Sequence, residues 1–318
     1  YYIIYYIMYI IKECEKMSLA LFELKKKIEP TKIWTRYVGK IDYVSGSKAD
    51  FKIPTDHFIH AINIRIELGS LSGGTDPSWN SDANEKIVKS IRLVGDGTKV
   101  IKNYDWDMMK NIAIVNREKL PDGYGKIYFT DPKISEAKPL PAWIFTSLIL
   151  EVEFESLSNL TSGSPTSGEA YVHLTLVESS YQGEDLSTWK ILVEQYPRRE
   201  SFGTNTGIQE YRHDRSYDVY GFLYKIDDNG TLSNTAIEYI NIIGRTREAE
   251  FNLISKGYIG DLRMQNQIDF GNALDTGFVM VEFPRGLSTY QFTSLKTQFY
   301  IKTAGTDVGV KVLERYLL

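Results

Sequence analysis

The sequence predicts an all-β protein: two tandem eight-stranded jelly-roll sandwiches with short helices, preceded by a short N-terminal helix. Three observations predict it. Short alternating apolar segments recur along the 318 residues, punctuated by Gly, Pro, Asn and Asp, as in sandwiches and barrels. The second half repeats the plan of the first. Each copy runs to ~150 residues with about eight strands, which suits a jelly roll better than an immunoglobulin-like sandwich of about seven strands and ~100 residues.

Composition sets the class. Hydrophobic residues make up 42% and charged residues 25%, enough to bury a sizeable core. The net charge of −4 argues against an electrostatic nucleic-acid binder. The single cysteine, Cys14, excludes an intrachain disulfide and a cysteine metal cluster. Tyr, at 22 residues, suits strands and wet interfaces.

The chain opens on "YYIIYYIMYIIKECEKM". The apolar run to Ile11 is about half of the ~20 residues that cross a bilayer as a helix. No basic residue precedes it, as a signal peptide requires. Tyr, Ile, Met and Lys have A/T-rich codons, and "KE" before Met17 can encode a ribosome-binding sequence. Residues 1–16 are therefore expected to be a leader, untranslated in the natural protein or disordered. From Ser18 a short amphipathic helix is expected over 17–30. Leu21, Leu24 and Ile28 fall at helical spacing, and Pro30 ends it. Lys25, Lys26 and Lys27 sit at its C-terminal end, which the helix dipole favours for cations.

Strands follow. "HFIHAINIRIELG" alternates over Ile62, Ile64, Ile66 and Leu68; "EKIVKSIRLVGDG" ends in a turn at Gly95; "GKIYFTDP", "AWIFTSLILEVEF" and "AYVHLTLVES" complete the first copy. In the second copy "DVYGFLYKIDDNG", "AIEYINIIG", "TGFVMVEFPRG", "YQFTSLKTQFYIKT" and "VGVKVLERY" repeat the order. "SIRLVG" lies over "YINIIG" at an offset of 149, "YDWDMMKN" over "FNLISKGY" at 147, and "FTSL" recurs at 147. The copies are bounded at 31–195 and 217–318. The polar segment 196–216, with Arg198, Arg199, Arg212 and Arg215, reads either as a solvated linker or as a segment that docks on a neighbouring subunit or packs across the two copies.

Chemistry is sparse. His57 and His60, three apart at the head of a strand, point to opposite faces and are poor joint metal ligands. "KIDDNGTLS" has a calcium-loop flavour but lacks the spacing and closing Glu of an EF-hand, and Asp-Asn-Gly reads as a tight turn. Glu151, Glu153 and Glu155 share a strand face, the polar side of a half-exposed strand or the carboxylates of a sandwich glycosidase. Trp79 stands in a loop where it could serve as a sugar platform. No catalytic, cofactor or metal site is assembled from spacing.

The stretches "EKIVKSIRLVGDG…YDWDMMKN…GKIYFTDP…FTSLILEVEF" and "AIEYINIIG…FNLISKGY…TGFVMVEFP…FTSLKTQFYIKT" carry a resemblance over Phe51 to Leu318. The chain resembles the double jelly-roll major capsid proteins of tailless icosahedral viruses with an internal membrane, above all the corticovirus-like bacteriophages. The resemblance implies a non-enzymatic structural protein of the virion, assembled in the host cytoplasm. Its homotrimers would form pseudo-hexameric capsomers in a lattice with minor capsid and vertex proteins. It also implies no cofactor and no direct nucleic-acid contact. The N-terminal helix, with Leu21, Phe22 and Leu24 for packing and Lys25, Lys26 and Lys27 for anionic head groups, would lie near the membrane. The competing readings are a two-domain carbohydrate-binding or adhesion protein and a jelly-roll glycosidase.

Overall fold

The computed structural model describes residues 33–180, 186–196, 199–213, 217–302 and 305–318. Thr35–Leu318 forms one compact unit. The expected leader and N-terminal helix, with Leu21, Phe22, Leu24, Lys25, Lys26 and Lys27, lie outside the described residues, as do Arg198 and Arg215.

The first roll is built from β1 (Ile33–Asp42), β2 (Lys48–Lys52), β3 (Phe58–Ser72), β4 (Val88–Gly95), β5 (Lys99–Asp105), helix α1 (Trp106–Val115), β6 (Tyr124–Tyr128), β7 (Leu148–Phe154) and β8 (Ser167–Ser179). Its sheets have the orders β1-β8-β3-β6 and β2-β7-β4-β5. This is the jelly-roll arrangement, in which the first strand pairs with the last at the edge of one sheet. Period-two burial drives it. In β7 Leu148, Leu150, Val152 and Phe154 face the core while Ile149, Glu151 and Glu153 do not.

Next comes β9 (Lys190–Gln195). The second roll follows with β10 (Arg199–Gly203), β11 (Gly207–Arg212), β12 (Asp218–Asp228), β13 (Ile237–Arg245), β14 (Glu250–Tyr258), α2 (Ile259–Phe270), β15 (Phe278–Ser288), β16 (Ser294–Ile301) and β17 (Val308–Leu317). Its sheets run β10-β17-β12-β15 and β11-β16-β13-β14. The segment 196–216 is thus not a linker among its described residues. It supplies the first two strands of the second roll, with β10 on β17 and β11 on β16. Their short length and polar outer positions hide them in a Gly/Thr/Asn-rich stretch.

The repeat is physical as well as textual. A 3₁₀ turn, Ala142–Ile144 or Thr289–Gln291, delivers Phe145 or Phe292. Leu148 then pairs with Gly95 and Leu295 with Gly244. A Cβ on Gly95 would run into the Phe145 ring, and one on Gly244 into Phe292. The ring occupies the space of the missing side chain in both rolls. One expected correspondence fails. "FNLISKGY" is strand β14, whereas "YDWDMMKN" enters helix α1, so the helices correspond at Trp106 and Ile259. The second copy has a longer fifth strand. Its helix ends on Gly271 in the left-handed conformation (φ 76°), where the absent Cβ removes the steric cost.

The two rolls share one surface. β9 runs parallel to β5 and antiparallel to β17, joining them into an 11-stranded sheet that sets both rolls the same way up. The strands of the second roll divide their residues between two cores. Phe222, Tyr224, Val310 and Val312 fill the second roll, while Leu223, Leu313, Phe278 and Met280 pack into the core of the first.

Gly95→Ala and Gly244→Ala are each expected to destabilise the fold by ~1–3 kcal/mol through overpacking. Gly260→Ala, with open space around it, should be neutral or slightly stabilising. Urea midpoints of the three variants check this.

Candidate functional site

The feature that organises the junction is a row of charge across three strands. Register places Glu194 of β9 beside Lys102 of β5 on one side and Arg315 of β17 on the other. Lys102 Nζ donates to Glu194 Oε2 at 2.9 Å, and Arg315 Nε donates to Glu194 Oε1 at 2.9 Å. Arg315 Nη2 reaches Asp131 Oδ2, on the segment after β6, at 2.6 Å. None of the four side chains exceeds 1% exposure. Two cations meet two anions, and charges so fully desolvated persist only when paired this closely. Burial pulls Lys102 below the usual lysine range in spite of Glu194. Burial also opposes the charge of Arg315, but Glu194 and Asp131 outweigh it and hold the guanidinium above its ordinary range.

A second cluster lies at the other end of β5. Asp105 accepts from Lys225 of β12 at 3.1 Å and from Lys311 of β17 at 2.7 Å, and Asp107 accepts from Lys225 at 2.8 Å. Burial resists ionisation of Asp105, yet the two lysines prevail and hold its carboxyl below the ordinary value. These groups line a polar recess of about 780 Å³ with Glu153, Glu155, Lys89 and Tyr196. Lys133–Glu282 and Tyr220–Glu136 bridge the rolls farther along. Asn111 of α1 exchanges hydrogen bonds with Asp275.

The residues singled out from sequence fall elsewhere. Arg199 grips Asp227 and Asp307 inside the second roll rather than spanning the rolls. Arg212 is exposed on β11. The Asp227–Asn229 stretch is a turn. Asp227 accepts from Arg199 and the Gly230 amide, Asp228 accepts from the Thr306 and Asp307 amides, and Asn229 has φ 50°. Glu151 takes Arg92 and Glu153 takes Ser90, each at 3.1 Å. Trp79 is half-buried, donating to the Gly69 carbonyl, with its ring and that of Tyr43 in a T-shaped pair.

Two histidine clusters appear that spacing did not suggest. Asp56, His57 and Glu178 converge closely enough to ligate an ion. Arg36, however, already reaches both carboxylates, at 2.6 Å and 2.7 Å, so a cation stands there in protein form. In the second roll His213 Nδ1 lies 2.8 Å from Glu314 and Nε2 lies 2.7 Å from Thr297 Oγ1, which also meets Tyr224. The order resembles a catalytic relay, but the His213 side chain is fully buried and Thr297 with it. It ties the two sheets of the roll together. Neither the buried charge row nor this chain carries a sequence motif. Lys102, Glu194 and Arg315 read as ordinary polar positions of strands, and the one signal is a charge amid apolar neighbours.

No family model matches the sequence, and no curated protein does. Solved structures do match. The STIV MCP, of Sulfolobus turreted icosahedral virus, is 13% identical with a TM-score of 0.68, covering 90% of this chain and 97% of that one. The major capsid protein P2 from bacteriophage PM2 is 10% identical with a TM-score of 0.59, covering 90% and 98%. The PBCV-1 virus capsid structure is 11% identical with a TM-score of 0.60, covering 91% and 94%. The fold of this chain is therefore the double jelly roll of those major capsid proteins.

Removing one partner strands a buried charge. Arg315→Met and Glu194→Gln are each expected to cost about 3–5 kcal/mol in denaturant unfolding. The depressed Asp105 carboxyl adds stability that is complete above about pH 4 and is lost as pH falls through its folded value. Asp105→Asn should flatten the decline in unfolding midpoint below about pH 4, while lowering stability at neutral pH.

Proposed function

We propose that this chain is the major capsid protein of a tailless icosahedral virus with an internal membrane, a structural subunit and not an enzyme. The single observation that carries the reading is the pair of rolls joined in the same orientation by β9. Two similar units per chain let three chains present six, so a trimer can tile a hexagonal lattice. The buried charge row supports the same reading, because a shell tile must hold its two units in one orientation under load. Trimers, as capsomers, then assemble with minor capsid and vertex proteins in the host cytoplasm. The segment 17–30, through Leu21, Phe22, Leu24, Lys25, Lys26 and Lys27, faces the anionic membrane within the virion. Arg198, Arg212 and Arg215 belong to surfaces that meet neighbouring copies.

Light scattering on the purified protein should report three times the 36.4 kDa chain mass. A stable monomer that binds glycans would overturn the capsid reading in favour of an adhesion module. Vesicle flotation adds a second check. Anionic vesicles should float the full chain, and Lys25→Glu with Lys26→Glu and Lys27→Glu should abolish flotation without changing the oligomer.

A further inference from the structure

Close lysine–glutamate contacts recur in this chain, and one differs from the rest. Lys126 Nζ lies 2.7 Å from Glu118, Lys190 Nζ 2.7 Å from Glu136 and Lys296 Nζ 2.7 Å from Glu210, and in each pair both side chains reach solvent. Lys102 Nζ lies 2.9 Å from Glu194 Oε2, and both of those side chains are fully buried. Register fixes their meeting, because Glu194 of β9 is the parallel neighbour of Lys102 in β5. A hydrogen bond of that length leaves the carboxyl carbon within about 1 Å of the ~3–3.5 Å separation of a near-attack geometry.

The surroundings prepare both reactants. Burial pulls Lys102 toward its neutral amine, the nucleophilic form. The Phe129 ring, itself fully buried, stands 5.3 Å from Nζ. Arg315 Nε donates to the other carboxyl oxygen, Oε1, where negative charge would develop on attack. Tyr104, two residues along the same face of β5, is fully buried, and its hydroxyl makes no hydrogen bond among the described residues. Burial first, and then the charge of Glu194, push that hydroxyl well above the usual tyrosine range. A buried hydroxyl without a partner calls for a reason, and a proton to carry is one. Joining Lys102 to Glu194 would also remove one cation and one anion from the dry junction. Arg315 and Asp131, 2.6 Å apart, would remain as a neutral pair.

We propose that Lys102 and Glu194 condense in the folded chain to a side-chain amide, an intramolecular isopeptide bond promoted by the fold itself. The step balances without a co-reactant. A proton passes from the Lys102 ammonium to Glu194 Oε2 along their hydrogen bond. The freed Nζ lone pair attacks Cδ, and the C=O electron pair moves to Oε1 beside Arg315. A second proton leaves Nζ for Oε2, with the Tyr104 hydroxyl as its carrier. The Cδ–Oε2 bond breaks, Oε2 departs as water and the carbonyl at Oε1 re-forms. Of the three protons that start on nitrogen, one stays on the amide and two leave in the water. The new bond ties β5 of the first roll to β9, the strand that holds β17 of the second. It would serve any use of the paired rolls and does not depend on the capsid reading.

The test is mass spectrometry of the full chain, refolded from urea and sampled over days beside a portion kept in urea. Trypsin should release one branched peptide, residues 100–110 joined to 191–198, lighter than their sum by one water and uncleaved at Lys102. It should accumulate only after folding. Lys102→Met, which keeps the stem and loses the amine, should give the two peptides unjoined and a lower urea midpoint. Unjoined peptides alone from the folded parent overturn the proposal and leave the row as ion pairs. So does a branch that grows equally in urea, or one that joins Lys126 to Glu118 or Lys190 to Glu136 as often, because the dry fold is then not its cause. The parent alone decides these outcomes, so a Lys102→Met chain that fails to fold leaves the test intact.

Discussion

The row Lys102–Glu194–Arg315 is the constraint on which the rest of the molecule depends. It lies across β5, β9 and β17, so it is at once an ion network and a strand register. Its net contribution to stability is small, because desolvating four charges offsets most of their attraction. Its effect on geometry is large. A slip of one residue in β9 would turn Glu194 to the other face and leave Lys102 and Arg315 buried without an anion. The correct alignment of the rolls is therefore separated from its neighbours by the cost of a bare charge.

Around that row, the two rolls use the same local devices to different ends. Gly95 with Phe145 and Gly244 with Phe292 show one packing solution kept in both copies, since a strand that must lie under a ring cannot carry a Cβ. The fifth strands and following helices diverge in burial because only one copy has a partner within the chain. Aspartates at the end of β5 and lysines on β12 and β17 are the chemistry of a finished junction. Phe251, Met264 and Ile268 stay exposed on the corresponding strand and helix of the second roll.

Much of the fold was legible before the structure. Period-two alternation located most strands, and the recurrence of "FTSL" and of the Gly-terminated "SIRLVG" and "YINIIG" marked positions that are structurally equivalent. The misplaced match of "YDWDMMKN" to "FNLISKGY" arose because both are amphipathic octapeptides, and pattern alone did not separate a strand from a helix start. The strands β10 and β11 were hidden for a related reason. They are short and polar on one side, and Arg199 was read as a crossing residue when Asp227 and Asp307, far off in sequence, hold it within its own roll.

The sequence by itself determined the class of fold, the duplication and the want of any motif for catalysis, because alternation, turn residues and repeats are local properties of the chain. Tertiary structure decided how the copies meet. Lys102, Asp131, Glu194 and Arg315 come from four distant segments, and nothing in their spacing announces that they share one buried network. It also decided which face stays open. Burial belongs to a residue only after its neighbours have folded around it, so identical patterns in the two rolls could end with one covered and the other bare.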